Sequence, residues 1–155
     1  PEQQRPEILH QCGSKNLEQT LAFYGESKVD VGNTIQVQPF IENMAGAYSW
    51  ADIIIARAGA MTVSEIAAVG LASILIPYPF AVDDHQTENA RFLVLAGAAE
   101  VIQQKDLDPQ TLLTLVQKFA KNDDFLQQAS SKALAAGRLD ATEKASSLCM
   151  EASYV

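Results

Sequence analysis

The stretch from Ala51 to Gly70 constrains this chain most. Asp52-Ile53-Ile54-Ile55-Ala56 is a short β-branched run, the pattern of a strand buried on both faces. Arg57-Ala58-Gly59-Ala60 follows as a turn of small residues, through which a ligand can approach the backbone. Thr62 to Val69 reads as a helix, closed by Gly70 where a left-handed cap is cheap. A strand, a small-residue turn and a helix start in this order make an anion site. Unpaired N–H groups and the positive end of the helix dipole point outward together. Glu65 lies three residues beyond Thr62 on the same helix face. A carboxylate there suits a ribose diol, accepting from two neighbouring hydroxyls. Thr62-Val63-Ser64-Glu65 also fits a capping box, in which Thr and Glu satisfy each other's backbone donors. Both readings fit these residues.

A strand buried on both faces needs helices over the sheet, and the remaining chain supplies them. Its 155 residues suffice for one domain with a full core, and 48% of them are hydrophobic. Ile8 to Cys12 reads as a strand, and Gly13-Ser14 leads into a helix over Leu17 to Tyr24, with Asn16 and Gln19 as a capping pair. Thr34 to Phe40 is a strand that Pro39 ends, and Asn43 to Trp50 is a short helix with Met44, Ala47 and Tyr48 on one face. After the central unit come a strand over Ser73 to Pro77, a helix over His85 to Ala96 and a strand over Ala98 to Ile102. Asp108 caps a helix with Pro109 at its first position, and two more helices follow, Phe125 to Gly137 and Ala141 to Ser153. Alternation of this kind predicts an α/β fold, a Rossmann-like doubly wound parallel sheet, in a single domain over residues 1–155.

Charge narrows the partners. Eleven basic and nineteen acidic residues leave a net charge of −8, a surface that repels nucleic acid and anionic lipid headgroups. An anionic ligand must then be held by local amides and dipoles. Cys12 and Cys149 show neither metal spacing nor a disulfide framework and read as reduced thiols. The most apolar stretch, Ile66 to Phe80, is broken by Gly70, Pro77 and Pro79 and makes no membrane span. No cofactor or metal is called for.

In doubly wound sheets the ligand crevice lies beyond the carboxyl ends of the strands. Three loops fall there: Phe40 to Met44, Arg57 to Thr62, and Tyr78 to Asn89. The third carries Asp83, Asp84, His85, Gln86 and Asn89. Gln86 and Asn89, three apart, can project from one face of a first helical turn, and amides suit sugar hydroxyls; a solvated helix start has the same composition. His85 fits a general base or a helix cap, Asp83-Asp84 a cap, and His10 a structural role in its strand. Arg57 can face a phosphate or pair with a carboxylate.

Taken together, Phe40-Ile41-x-x-Met44, Arg57-Ala58-Gly59-Ala60-Met61-Thr62-x-x-Glu65 and Asp84-His85-Gln86-x-x-Asn89-Ala90 resemble the MurG family of bacterial glycosyltransferases. The resemblance runs from about Pro6 to the C-terminal helices. It implies most of the C-terminal, donor-binding half of a GT-B enzyme that adds N-acetylglucosamine to lipid I, giving lipid II in peptidoglycan synthesis. The donor implied is UDP-N-acetylglucosamine. On that resemblance the Ile41 backbone pairs with the uracil ring, with Phe40 and Met44 lining its pocket. The segment Ala60, Met61, Thr62, Val63, Ser64 and Glu65 contacts phosphate and sugar, with Glu65 on the ribose. Gln86 and Asn89 read the glucosamine hydroxyls.

The resemblance also implies parts that these residues do not supply. A glycine-rich pyrophosphate loop and an N-terminal domain, which holds the acceptor, the membrane contact and the catalytic base, are expected elsewhere. The chain is expected to be a soluble fragment, inactive alone, of a peripheral enzyme on the cytoplasmic face of the inner membrane. A UDP-sugar 2-epimerase of the same fold and a non-catalytic nucleotide-binding module are the alternatives.

Overall fold

The computed structural model describes residues 6–27, 31–32 and 34–153. The chain separates into two compact units, Pro1–Trp50 and Ala51–Val155.

The first unit holds strand β1 (Ile8–Gln11), helix α1 (Leu17–Glu26), strand β2 (Ile35–Gln38) and helix α2 (Met44–Trp50). β1 and β2 are parallel, with Ile8 opposite Ile35 and Gln11 opposite Gln38, so α1 is the crossover that parallel pairing demands. Cys12 and Gly13 extend the pairing by donating to Gln38 O and Pro39 O at 3.0 and 3.1 Å. Gly13, at φ 81°, then turns the chain toward α1. His10 is structural, as expected: its Nδ1 lies 3.1 Å from the Tyr24 hydroxyl, which joins β1 to α1. The expected Asn16 cap is not formed. A 3-10 turn over Ser14–Asn16 draws Asn16 to φ −106°, ψ −3°, away from the extended backbone a cap needs. Its Nδ2 donates to Cys12 O at 2.8 Å instead.

The second unit holds strand β3 (Ile53–Ala56), helix α3 (Ala60–Val69), strand β4 (Ala72–Leu75), helix α4 (His85–Ala96), strand β5 (Ala99–Val101), and helices α5 (Pro109–Ala120), α6 (Asp123–Ala136) and α7 (Ala141–Ser153). Its sheet is parallel in the order β3-β4-β5. Here the structure corrects the sequence. β4 is the strand buried throughout, whereas β3, read as buried on both faces, is an edge of this sheet with Ile55 46% exposed. A β-branched run reports burial only on average; position in the sheet decides it.

Ala72 and Ile74 of β4 pack with Ile102, Phe119 and Ala129, and Ile53, Leu112, Leu115, Val116, Phe125 and Leu126 close over them. The rings of Phe119 and Phe125 lie 5.1 Å apart. Asp108 caps α5 as expected, accepting from Gln110 N and Thr111 N at 2.8 and 3.0 Å. The Thr111 hydroxyl, then its N–H, hold that carboxyl below its ordinary value. α3 ends at Gly70, φ 72°, where a Cβ would stand 3.0 Å from Leu134 Cβ of α6. At the end of α6, a Cβ on Gly137 would stand 2.8 Å from Ala67 O of α3. Two glycines thus let α3 and α6 meet backbone to backbone. Among the described residues no helix is long and apolar enough to cross a membrane.

Candidate functional site

The carboxyl edge of the three-stranded sheet carries two of the three expected loops. After β3, Gly59 is the N-cap of α3, with extended backbone and no side chain to cap with. Val63 N–H is the first to find a helical partner, Gly59 O at 2.9 Å. The amides of Ala60, Met61 and Thr62 precede it and have none within the helix. Their N–H groups and the dipole end face the same way. The helix starts two residues before the expected Thr62, so Thr62 is its third residue and Glu65 its sixth. The capping-box reading therefore fails: both side chains lie inside the helix, past the end they were to cap. Met61 is 77% exposed, and Ser64 and Glu65 are exposed. Val63 is buried in the core.

After β4, Ile76 and Pro77 are buried and Tyr78 and Phe80 are exposed. Asp83 and Asp84 both take left-handed backbone, φ 49° and 54°, just before α4, a conformation aspartate tolerates better than most. Asp84 stands at the N-cap but makes no side-chain bond to the helix backbone; it accepts from the Thr87 hydroxyl at 2.7 Å. His85, the first residue of α4, is exposed.

Gln86 and Asn89 are each pinned by one end. Gln86 Oε1 accepts from Tyr78 N–H at 2.9 Å, and Asn89 Nδ2 donates to Ala58 O at 3.1 Å. Because each backbone partner has only one role, both amide orientations are fixed. Gln86 is left presenting its NH2 and Asn89 its oxygen. The Asn89 bond also draws the first turn of α4 to the Ala58-Gly59 turn that opens α3. Among the described residues Arg57 forms no ion pair with a carboxylate; it bonds to backbone carbonyls instead. Its Nη1 donates to Ile76 O and Pro77 O at 3.3 and 3.2 Å, and its guanidinium lies 5.6 Å from the Tyr78 ring centre. It braces the loop after β4. Among the described residues, no three His, Cys, Asp or Glu side chains are placed to share a metal ion.

The remaining loop, Phe40 to Met44 in the first unit, follows β2. A groove of about 600 Å³ opens beside it, lined by Leu9, Pro39, Phe40, Ile41, Asn43 and Trp50 among others. Phe40 and Trp50 are 65% and 50% exposed. Ile41 N–H donates to Gln11 Oε1 at 2.8 Å. Met44, expected beside Phe40, is the first residue of α2 and does not line the groove. Sequence reasoning missed Gln11 and Trp50. Trp50 carried a signal, as the one tryptophan, at a helix end next to a ligand loop. Gln11 carried none, because its partner is thirty residues away.

The Glycosyltransferase family 28 C-terminal domain matches residues 1–146. The chain belongs to that family. Relatives of this family 28 domain include proteins named UDP-N-acetylglucosamine--N-acetylmuramyl-(pentapeptide) pyrophosphoryl-undecaprenol N-acetylglucosamine transferase. That of Marinobacter nauticus is 45% identical over 98% of this chain and 41% of its own length. That of Dechloromonas aromatica is 44% identical over 97% of this chain and 41% of its own. The crystal structure of MurG from Acinetobacter baumannii, 44% identical, superposes with a TM-score of 0.84 over 93% of this chain and 42% of that one. The glycosyltransferase VinC, at 19% identity and a TM-score of 0.64, shares the fold. The family 28 domain thus spans about two-fifths of the length of the relatives it matches.

Proposed function

We propose that this domain binds UDP-N-acetylglucosamine and that the enzyme carrying it transfers the sugar, with inversion, to lipid I. The observation that carries the reading is the start of α3. Three amides without helical partners stand there, and the Asn89 bond to Ala58 O brings a sugar-reading amide to the same turn. The names of the relatives supply the substrates. Both units count as one donor-binding domain, because the family match runs through them from residue 1 to 146.

In this reading the Ile41 backbone and the Phe40 ring take the base. The amides of Ala60, Met61 and Thr62 take the diphosphate, Ser64 and Glu65 lie toward the ribose, and Gln86 and Asn89 read the sugar hydroxyls. The acceptor hydroxyl oxygen attacks the anomeric carbon as the bond to the diphosphate oxygen breaks, and UDP leaves. Negative charge grows on the leaving oxygens, and the unpartnered α3 amides are the donors proposed to meet it. The base that takes the acceptor proton belongs to the N-terminal part of the enzyme, as does contact with the cytoplasmic face of the membrane. This domain alone turns over no sugar.

Calorimetry of the full-length protein with UDP and UDP-N-acetylglucosamine tests this. Glu65→Gln removes a charge from bonds to two hydroxyls. Glu65 is exposed without ligand, so water competes and the expected loss is about tenfold in UDP affinity rather than a hundredfold. Gln86→Ala should lower the preference for UDP-N-acetylglucosamine over UDP and leave UDP itself unchanged. Equal UDP binding by wild type and Glu65→Gln would make Glu65 a surface carboxylate and nothing more.

A further inference from the structure

We propose that Gln11 is a displaceable stand-in for the nucleotide base, occupying the Ile41 amide until a keto pyrimidine takes its place. The inference rests on the reading that the loop after β2 receives the base. Three observations in the first unit carry it.

The first is the bond itself. Gln11 sits at the end of β1 with its side chain exposed, yet its Oε1 reaches the Ile41 N–H, thirty residues on, at 2.8 Å. The second is the surroundings. Ile41 lies in a groove whose apolar lining includes Leu9, Pro39, Phe40 and Trp50, with both aromatic rings half or more exposed. A flat heteroaromatic ring fits such walls by its faces and needs polar partners only at its edge. The third is chemical. A primary carboxamide carries a carbonyl acceptor beside an N–H donor, and so does the O4–N3 edge of uracil. On that reading, a carbonyl oxygen of the same character already holds the Ile41 N–H that the base edge would use.

An exposed glutamine is easily moved. Its bond to Ile41 exchanges with water on both sides, so its net contribution is that of one ordinary hydrogen bond, and release returns rotamer freedom to the side chain. The nucleotide must outcompete it, which lowers apparent affinity by the fraction of molecules whose Ile41 amide is open. The arrangement also selects. Uracil offers an acceptor to the Ile41 N–H and replaces Gln11 like for like. Cytosine offers an amino donor at that edge, which leaves two donors facing each other, so Gln11 stays.

Calorimetric titration of the full-length protein with UDP and CDP, on wild type, Gln11→Met and Gln11→Ala, decides the matter. Methionine keeps the length of the side chain without the acceptor, and alanine removes it altogether. Both variants should bind UDP about two- to tenfold tighter than wild type, the competition from one hydrogen bond being gone. CDP binding should not improve. UDP binding that is unchanged or weaker in both variants overturns the inference, and weaker binding makes Gln11 a brace for the loop. If wild type and both variants all fail to bind UDP, the base-site reading falls, and this inference with it.

Discussion

The two units of this chain are held together by different means. In residues 51–155 the middle strand is buried along its whole length, and Phe119, Ile66, Ile74, Leu75 and Leu93 are all enclosed. In residues 1–50, the buried hydrophobic side chains among those described are Ile35 and Tyr48. Beyond the β1–β2 pairing, the first unit carries polar side-chain links: His10 to Tyr24 between strand and helix, the exchangeable Gln11 to Ile41, and the local Asn16 to Cys12 and Asn43 to Gly46. Two paired strands with so little apolar cover are marginal by themselves. The loops after β3 and β4 in the second unit therefore stand on packed hydrocarbon, and the loop after β2 in the first unit on hydrogen bonds that solvent can exchange.

The comparison breaks most readily at Phe119. Truncation to alanine in a filled core costs about 3–5 kcal/mol, and urea melts of Phe119→Ala should show a loss of that size. A loss below about 1 kcal/mol would mean that the second unit collapses into the space, and that its packing is no tighter than that of the first. Next in size is the contrast in local opening. Amides of β4 should exchange with deuterium roughly a hundredfold more slowly than those of β1 and β2, since opening free energy follows burial. Equal protection would show that polar links hold a strand as firmly as a core does. The smallest effect is a test within the packed unit. Ser73 is fully enclosed, and its hydroxyl has no hydrogen-bond partner among the described residues. Ser73→Ala should leave stability unchanged or raise it by up to about 1 kcal/mol, because an orphan donor is removed at little cost in volume. Clear destabilisation would mean that the hydroxyl has a partner in solution.

Legibility in the sequence followed the same division. Elements whose ends are set by local chemistry were readable: α5 from Asp108 and Pro109, α4 from Gly97 at its end, α3 from Gly70 at its end. The start of α3 was not, because Thr62 and Glu65 spell a capping box while Gly59 spells nothing. Only the path of the chain out of β3 shows that the helix begins earlier. Burial was misjudged for β3 because three isoleucines look the same at the edge of a sheet as at its centre. The family was legible from the three loops taken as a set, and the match to the family 28 domain and the likeness to A. baumannii MurG bear that family out; the ligand role of the loops is the proposal above. The roles of single side chains within them were less so. Arg57 bonds to carbonyls nineteen and twenty residues away, and Gln11 to an amide thirty away; no local pattern encodes such partners.

The meeting of α3 and α6 at Gly70 and Gly137 bears on the heat and order of ligand binding. With Ala67 O lying 2.8 Å from where a Gly137 Cβ would be, α3 and α6 pack backbone to backbone, and a shift of α3 would have to carry α6 with it or open that contact. The direction of its leading amides is therefore set during folding and not at the moment a diphosphate arrives. Little conformational entropy is left to lose there on association. On the proposed reading, a diphosphate at the start of α3 meets a helix already fixed by its packing, so ordering on binding is expected mainly in other parts of the chain.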